Sequence, residues 1–316
     1  MTVLCCDLGG TRMKVGIVEK GRLRARADEP ADSKTGLASV LPALETTWMR
    51  LLGELTLYVS DCAGISMAFP SLVDITTGRV LAEYGKYADA VNFDFRVWAR
   101  TQLGLPLAIE NDARMALVGE WKYGAGRGSD SVAIITLGTG LGTAALINGQ
   151  LLRGQHGQAG VLGGHVTVRY GGRECSCGNQ GCAEAEASTA FLEKIASSLP
   201  EWNSSPLRKL PLNYAEVFKH AEAGDPCALK LREHSLQVWG ALAVNLIHAY
   251  DPEALILAGG IMGARDVILP AISDYVRRRA HTPWGKVRVV SGELGDTAAL
   301  LAGEWLLTEQ HPKTLK

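Results

Sequence analysis

The chain has 316 residues, 47% of them hydrophobic and 21% charged, and its 32 basic and 33 acidic side chains leave a net charge of -1. That balance provides no field to draw nucleic acid or an anionic membrane, and the length is enough to bury two cores, so two domains are expected. Seven cysteines in a long chain without a secretory pattern fit a disulfide framework poorly, which points to a cytoplasmic protein.

The chain enters an apolar run at Val3 with no basic segment before it, so its start does not read as a signal peptide. "VLCCDLGGTRMKVGIVEKGRL" reads as strand, glycine turn and strand, with a further turn at Lys20-Gly21. Gly36 to Leu57 has apolar residues at helical spacing, and Ala63 to Phe69 is a buried strand stopped by Pro70. Phe95 to Gly104 predicts a short helix, "LPLAIEND" a strand ending on two polar groups, and "ARMALVGEWKYGAG" a helix closed by glycine. "SVAIITLGTGLGTAALINGQLL" then repeats the opening plan. Its stretch from Val132 to Ile147 is too short and too broken by threonine and glycine to span a membrane. The same hairpin found twice suggests a duplicated domain. Ser197 to Pro211, with three prolines, reads as an exposed loop. "ALKLREHSLQVWGALAVNLIHAY" is a long amphipathic helix halted at Asp251-Pro252, and "ALILAGGI" is a strand running into a Gly-Gly turn. "GDTAALLAGEWLL" is a last helix, with Asp296 or Thr297 placed to cap it. Strands and helices alternate throughout, so the fold class is α/β. Cys5, Cys6 and Cys62 lie in apolar stretches and read as small core residues.

Three glycine turns end hydrophobic strands. Asp7 is followed by Gly9, Gly10 and Thr11; the second turn holds Gly138, Thr139 and Gly140; the third holds Gly259 and Gly260. Backbone N–H groups in a turn without β-carbons can approach a phosphate, and the threonines add hydroxyl donors. Glycine would equally permit positive φ in a hairpin. No turn matches the P-loop or the dinucleotide fingerprint. Three such turns together point to a nucleotide cleft between two halves. Asp112, at a strand's end, is placed to take a proton from a substrate hydroxyl, with Asn111 orienting that substrate. The bland alternative is that Asp112 caps the helix that follows.

"GGRECSCGNQGC", residues 171 to 182, sets Cys175, Cys177 and Cys182 close together, with His165 upstream. Three thiols and an imidazole fill a tetrahedral zinc shell and leave no place for an activated water, so the metal would be structural. A reactive thiol or a redox pair is the poorer reading, because Cys-x-Cys is not the Cys-x-x-Cys of thioredoxin-like sites.

These residues together resemble the ROK family of repressors, open reading frames and sugar kinases. The likeness runs through "DLGGT", "FPSLVD", "ENDA", "LGTGLGT", "GGH" with "CSCGNQGCAEAEAS", "LAGGI" and "LGDTAALLAG". It implies an actin-like ATPase fold with two ribonuclease-H-like lobes around a central cleft. The expected division is 1–117 with the helix 296–316 packing back on it, and 118–295 carrying the zinc motif. It also implies an ATP-dependent kinase for a hexose or N-acetylhexosamine, with Mg²⁺ and structural Zn²⁺, Asp112 as base, and a homodimer. Polyphosphate is an alternative donor. Asn111, His165 and Glu184 would contact the sugar, and Asp7 would help place Mg²⁺. Otherwise Glu184 and Glu186 are a solvated first helical turn. The family's Glu-x-Gly-His has leucine at position 162 here, and Ser71 stands where the family has glycine. The alternative is a non-catalytic sugar sensor acting through a protein partner. The family's repressors carry a helix-turn-helix ahead of the kinase-like part, for which the turn at Asp7 leaves no room.

Overall fold

The computed structural model describes residues 1–82 and 85–312. The chain divides into two compact units, one of residues 1–127, 153–159 and 294–316, the other of 128–152 and 160–293.

In the first unit, β1 (Thr2–Leu8), β2 (Arg12–Glu19) and β3 (Arg22–Pro30) form an antiparallel meander. β4 (Cys62–Phe69) adds in parallel to β1. A short hairpin of β5 (Val73–Asp74) and β6 (Arg79–Val80) follows, and β7 (Leu107–Asn111) completes the order β3-β2-β1-β4-β7. Both faces of β1 are covered, which is why its sequence is an unbroken apolar run rather than an alternation. Helix α1 (Leu37–Glu54) buries Leu37, Leu41, Leu44, Trp48 and Leu51 in one core with Leu4, Cys6 and Leu8. α2 (Phe95–Leu103) joins the same core, capped by Asp94, whose side chain accepts from the Val97 N–H. α3 (Asp112–Tyr123) follows β7 directly. The expected boundary after residue 117 lies inside this helix, and the compact unit runs on to Arg127.

In the second unit, β8 (Val132–Leu137), β9 (Leu141–Ile147) and β10 (Gln150–Leu151) repeat the meander. α4 (Ala183–Ala187), α5 (Leu192–Ser197), α6 (Tyr214–Glu222) and α7 (Pro226–Tyr250) precede β11 (Ala254–Ala258); α8 (Arg265–Arg279) leads to β12 (Arg288–Ser291). The order β10-β9-β8-β11-β12 copies the first sheet, with two antiparallel steps followed by two parallel ones. The duplicated hairpin seen in the sequence is thus one corner of a duplicated sheet.

Three local expectations are corrected. Residues 197 to 211 are largely exposed, as expected, but are not a plain loop: they form two tight 3-10 turns, Pro200–Ser204 and Pro206–Lys209, and Leu207 is fully buried. The last helix is broken into α9 (Ala298–Leu301) and α10 (Gly303–Gln310). Neither Asp296 nor Thr297 caps it through its side chain, because Thr297 donates to the Leu294 carbonyl and Asp296 pairs with Lys14. At the break, α10 packs so closely on β1 that a Cβ at Gly303 would lie 2.3 Å from Cys5 Sγ. Among the described residues, no helix is long and apolar enough to cross a membrane.

Candidate active site

In the first unit the Asn111–Asp112 corner joins β7 to α3. Asn111, not Asp112, is the helix cap: its Oδ1 accepts from the N–H groups of Ala113 and Arg114 at 3.1 and 3.2 Å. Its amide donates to the Ser71 carbonyl at 3.2 Å and to Asp112 Oδ1 at 3.1 Å. Asp112 is therefore released from capping and is held by Asn111 and by the Ala113 N–H at 2.8 Å. Burial, then the charge of Asp7, raise the Asp112 carboxyl from the ordinary 3.8 to about 6; Lys86 and Lys14 draw it part of the way back. That value suits a group which must be a free base near neutrality and hold a proton tightly enough to take one.

Asp7 ends β1. Its Oδ2 accepts from Lys14 Nζ at 2.8 Å, and the same ammonium lies 3.2 Å from Asp296. Asp7 Oδ1 has no hydrogen bond among the described residues, so one carboxylate oxygen remains for a hydrated Mg²⁺. The glycines of the turn do not adopt positive φ, so conformational freedom is not their reason. Gly9 is crowded, since a Cβ there would meet the Arg12 carbonyl oxygen at 2.5 Å, whereas Gly10 presents its backbone beneath the Lys86 side chain. Thr11 is exposed.

The sequence reading missed the residues that anchor this corner. Glu110 is fully buried and accepts from the Asn111 N–H at 2.9 Å, Arg114 Nη1 at 3.1 Å and Arg153 Nε at 2.7 Å. Arg114 also donates to the carbonyls of Gly157 and Ala159, at 2.9 and 2.8 Å, and Arg153 forms a fork with Glu309. Segment 153–159 is thereby bound to the unit that carries Asp112. Removing one partner from a buried charge network leaves the others unpaired. Arg114→Met is expected to destabilise the protein by about 3–5 kcal/mol in urea unfolding, well beyond an ordinary surface substitution. The one sequence signal was the spacing of Glu110 and Arg114, an acid and a base four residues apart on either side of the Asn111–Asp112 corner.

In the second unit, Gly138 and Gly260 have at most one protein atom near a notional Cβ; the Gly138 N–H donates to the Gly140 carbonyl at 3.1 Å. The turns meet there, because a Cβ on Gly259 would lie 2.4 Å from the Leu137 carbonyl oxygen; this residue does require φ of 95°. Thr139 is exposed. Gly140 has no room for a side chain, because Glu184 Oε2 sits 2.5 Å from the notional Cβ and accepts from the Leu141 N–H at 3.0 Å. Glu186 is fully buried, bonded to the Arg173 N–H and to Arg173 Nη1. The solvated-turn reading of these two acids is therefore wrong, because the chain folds back on α4.

His165, Cys175, Cys177 and Cys182 place their ligand atoms within 4.8 Å of one another. Cys177 Sγ lies 3.7 Å from Cys182 Sγ, and Cys175 Sγ lies 3.5 Å from His165 Nδ1. A tetrahedral zinc with bonds of about 2.0–2.3 Å needs edges of this length, so the donor set fits. All seven cysteines are free. Burial, then the neighbouring Cys177 and Cys175, raise the Cys182 thiol, and a bound cation would act in the opposite direction. At the departure, Val161 is buried and Leu162 half-buried in a 3-10 turn, and neither offers a carboxylate.

Two sheets of one order, each with a glycine turn after its first strand, define an actin-like ATPase fold. The chain belongs to the ROK family, whose family model matches residues 3–310. It is 30% identical to the glucokinase of Halalkalibacterium halodurans, covering 96% of this chain and 94% of that one. A ROK hexokinase from Thermus thermophilus shares the fold with a TM-score of 0.78 and 29% identity, over 98% of this chain and 99% of that one. A ROK glucokinase from Streptomyces griseus, solved with glucose and AMPPNP, matches with a TM-score of 0.79 and 27% identity, over 97% and 99%.

Proposed function

We propose that this protein is an ATP-dependent kinase that phosphorylates the 6-hydroxyl of a hexose or N-acetylhexosamine, with Asp112 as general base. It is a carbohydrate kinase by family and fold. The observation that carries the finer reading is Asp112 itself, freed from capping by Asn111 and tuned to about 6. Names and contents of the relatives support the substrates: one is a glucokinase, and another was solved with glucose and an ATP analogue.

In this reading the Asp112 carboxylate takes the proton of the sugar hydroxyl as its oxygen attacks the γ-phosphorus of ATP and ADP leaves. Backbone N–H groups of Gly10, Gly140, Gly259 and Gly260, with the Thr11 and Thr139 hydroxyls, hold phosphates; the N–H groups of Gly9 and Gly138, expected to join them, are already given to the Arg12 and Gly140 carbonyls at 2.9 and 3.1 Å, so those glycines serve the shape of the turns. Mg²⁺, when bound, neutralises phosphate charge, and Asp7 Oδ1 is the group that would help hold it. Zinc would be structural, held by His165, Cys175, Cys177 and Cys182. Glu184 Oε1 carries no hydrogen bond among the described residues and is offered to a sugar hydroxyl, and His165 borders the same sugar. Asn111 already bonds four protein groups, so it would touch sugar only by exchanging one of them. A sugar hydroxyl left without the carboxylate missing at position 162 would lose about 1–3 kcal/mol. His156 and Gln158 are exposed on the segment that Arg114 holds, and are the groups offered in compensation. Free thiols suit the reducing cytoplasm. A homodimer, implied by the family resemblance, completes the proposal.

The test is a coupled assay of ADP release from metal-replete protein over hexoses, N-acetylhexosamines and ketoses. Sugar-dependent release with at least one aldohexose or N-acetylhexosamine is expected. Its absence across the panel would favour the second reading, a sugar sensor acting through a protein partner, to which the missing carboxylate at Leu162 lends support.

A further inference from the structure

We propose that Lys86 is a catalytic residue of this transfer, its ammonium contacting the γ-phosphate oxygens beside the first glycine turn. The inference rests on the kinase reading above and adds a residue which neither the motifs nor the family resemblance supplied.

The chain around Lys86 is pinned to that turn. The Tyr87 N–H donates to the Ser33 carbonyl at 2.8 Å, and the Ser33 N–H donates to the Gly10 carbonyl at 3.0 Å. The Tyr87 hydroxyl donates to the Gly9 carbonyl at 2.7 Å, and its ring is fully buried against Phe69 at 5.5 Å between centroids. Held between these bonds, Lys86 lays its side chain along the turn: Cε and Cδ lie 3.3 and 3.7 Å from where a Gly10 Cβ would be. Any larger residue at position 10 would displace the lysine.

Two ammonium groups act on Asp112, and they differ in commitment. Lys14 is already bonded between Asp7 and Asp296. Lys86 has no carboxylate within ion-pair reach among the described residues, yet its charge reaches Asp112 and offsets part of what burial and Asp7 do there. A half-buried cation with no counter-ion among the described residues, lying along the first glycine turn and within electrostatic reach of the base, is a receptor for the group that passes between them. During transfer the acceptor oxygen bonds the γ-phosphorus, the bond to the β,γ-bridging oxygen breaks with its electron pair leaving on ADP, and the alcohol proton goes to Asp112. Lys86 exchanges no atom; it neutralises the three peripheral oxygens of the moving phosphoryl group.

Isothermal titration of Mg²⁺–AMPPNP and of Mg²⁺–ADP separates this role from a structural one, because only the former carries a γ-phosphate. Lys86→Met is expected to weaken AMPPNP about tenfold while ADP changes less than twofold. Turnover with an accepted sugar should fall about 100-fold with the sugar KM little changed, and Lys86→Arg should recover most of both. Equal losses for ADP and AMPPNP, unchanged AMPPNP binding, or a sugar KM defect at full kcat would each overturn the proposal. Wild-type protein that binds neither nucleotide would overturn the kinase reading as well, whereas an active wild type beside an unaffected Lys86→Met sinks this inference alone.

Discussion

Asp112→Asn is expected to lower kcat by about 10³-fold while leaving nucleotide and sugar binding within a few-fold, measured by steady-state kinetics and titration. The amide keeps the shape and the contact with Asn111 but cannot accept the proton. The pH profile supplies the sign. Asp112 works as a free base, so with its carboxyl raised to about 6, wild-type kcat should be flat at neutral pH and fall as pH drops through 6. Stability runs the other way. Between the ordinary 3.8 and about 6 the folded state holds a proton that the unfolded state releases, so stability declines as pH rises through that window. Asp112→Asn removes the buried charge, and because the side chain keeps an edge to solvent the gain at pH 7 is on the order of 1 kcal/mol. An inactive variant that melts slightly higher is the signature of a base; a half-active one would assign the chemistry elsewhere.

Purified protein is expected to hold about one zinc per chain, and Cys182→Ser to hold almost none. Cys182 is fully buried and is bridged through the backbone to Thr167, so its loss opens the loop it closes as well as the metal shell. A loss of 3 kcal/mol or more would lower the melting temperature on the order of 5–10 °C. Metal analysis and calorimetry read both, and the 166–181 loop should become the first site of proteolysis. Full stability after chelation would show that the four side chains hold nothing essential.

The parts of the fold that were legible in the sequence are those written locally. Both hairpins announce themselves through glycine and threonine between apolar runs, and α7 through its long amphipathic stretch closed by Asp251 in the left-handed region before Pro252. The four side chains of the candidate metal site were legible from spacing, because a single short loop brings three of them together. Helix α8 was not, since its buried stripe is only Ile268, Ile272 and Val276 among charged neighbours. The support beneath Asp112 was illegible for a different reason. Glu110 meets Arg153, 43 residues away, and Arg114 binds backbone carbonyls, which no side-chain pattern encodes. The same holds for Lys86, whose place depends on its neighbour Tyr87 bonding the carbonyls of Gly9 and Ser33, far off in the chain.

Where β7 runs into Asp112, its counterpart β12 runs into Gly292. The twin frames thus carry unequal trades: one has an acid directly at its final strand's exit, the other has glycine at that spot and a cysteine-bearing segment after its meander. A carboxylate grafted at Gly292 should therefore remain idle, since nothing like the Asn111 clamp or the Glu110 anchor stands beneath it among the described residues.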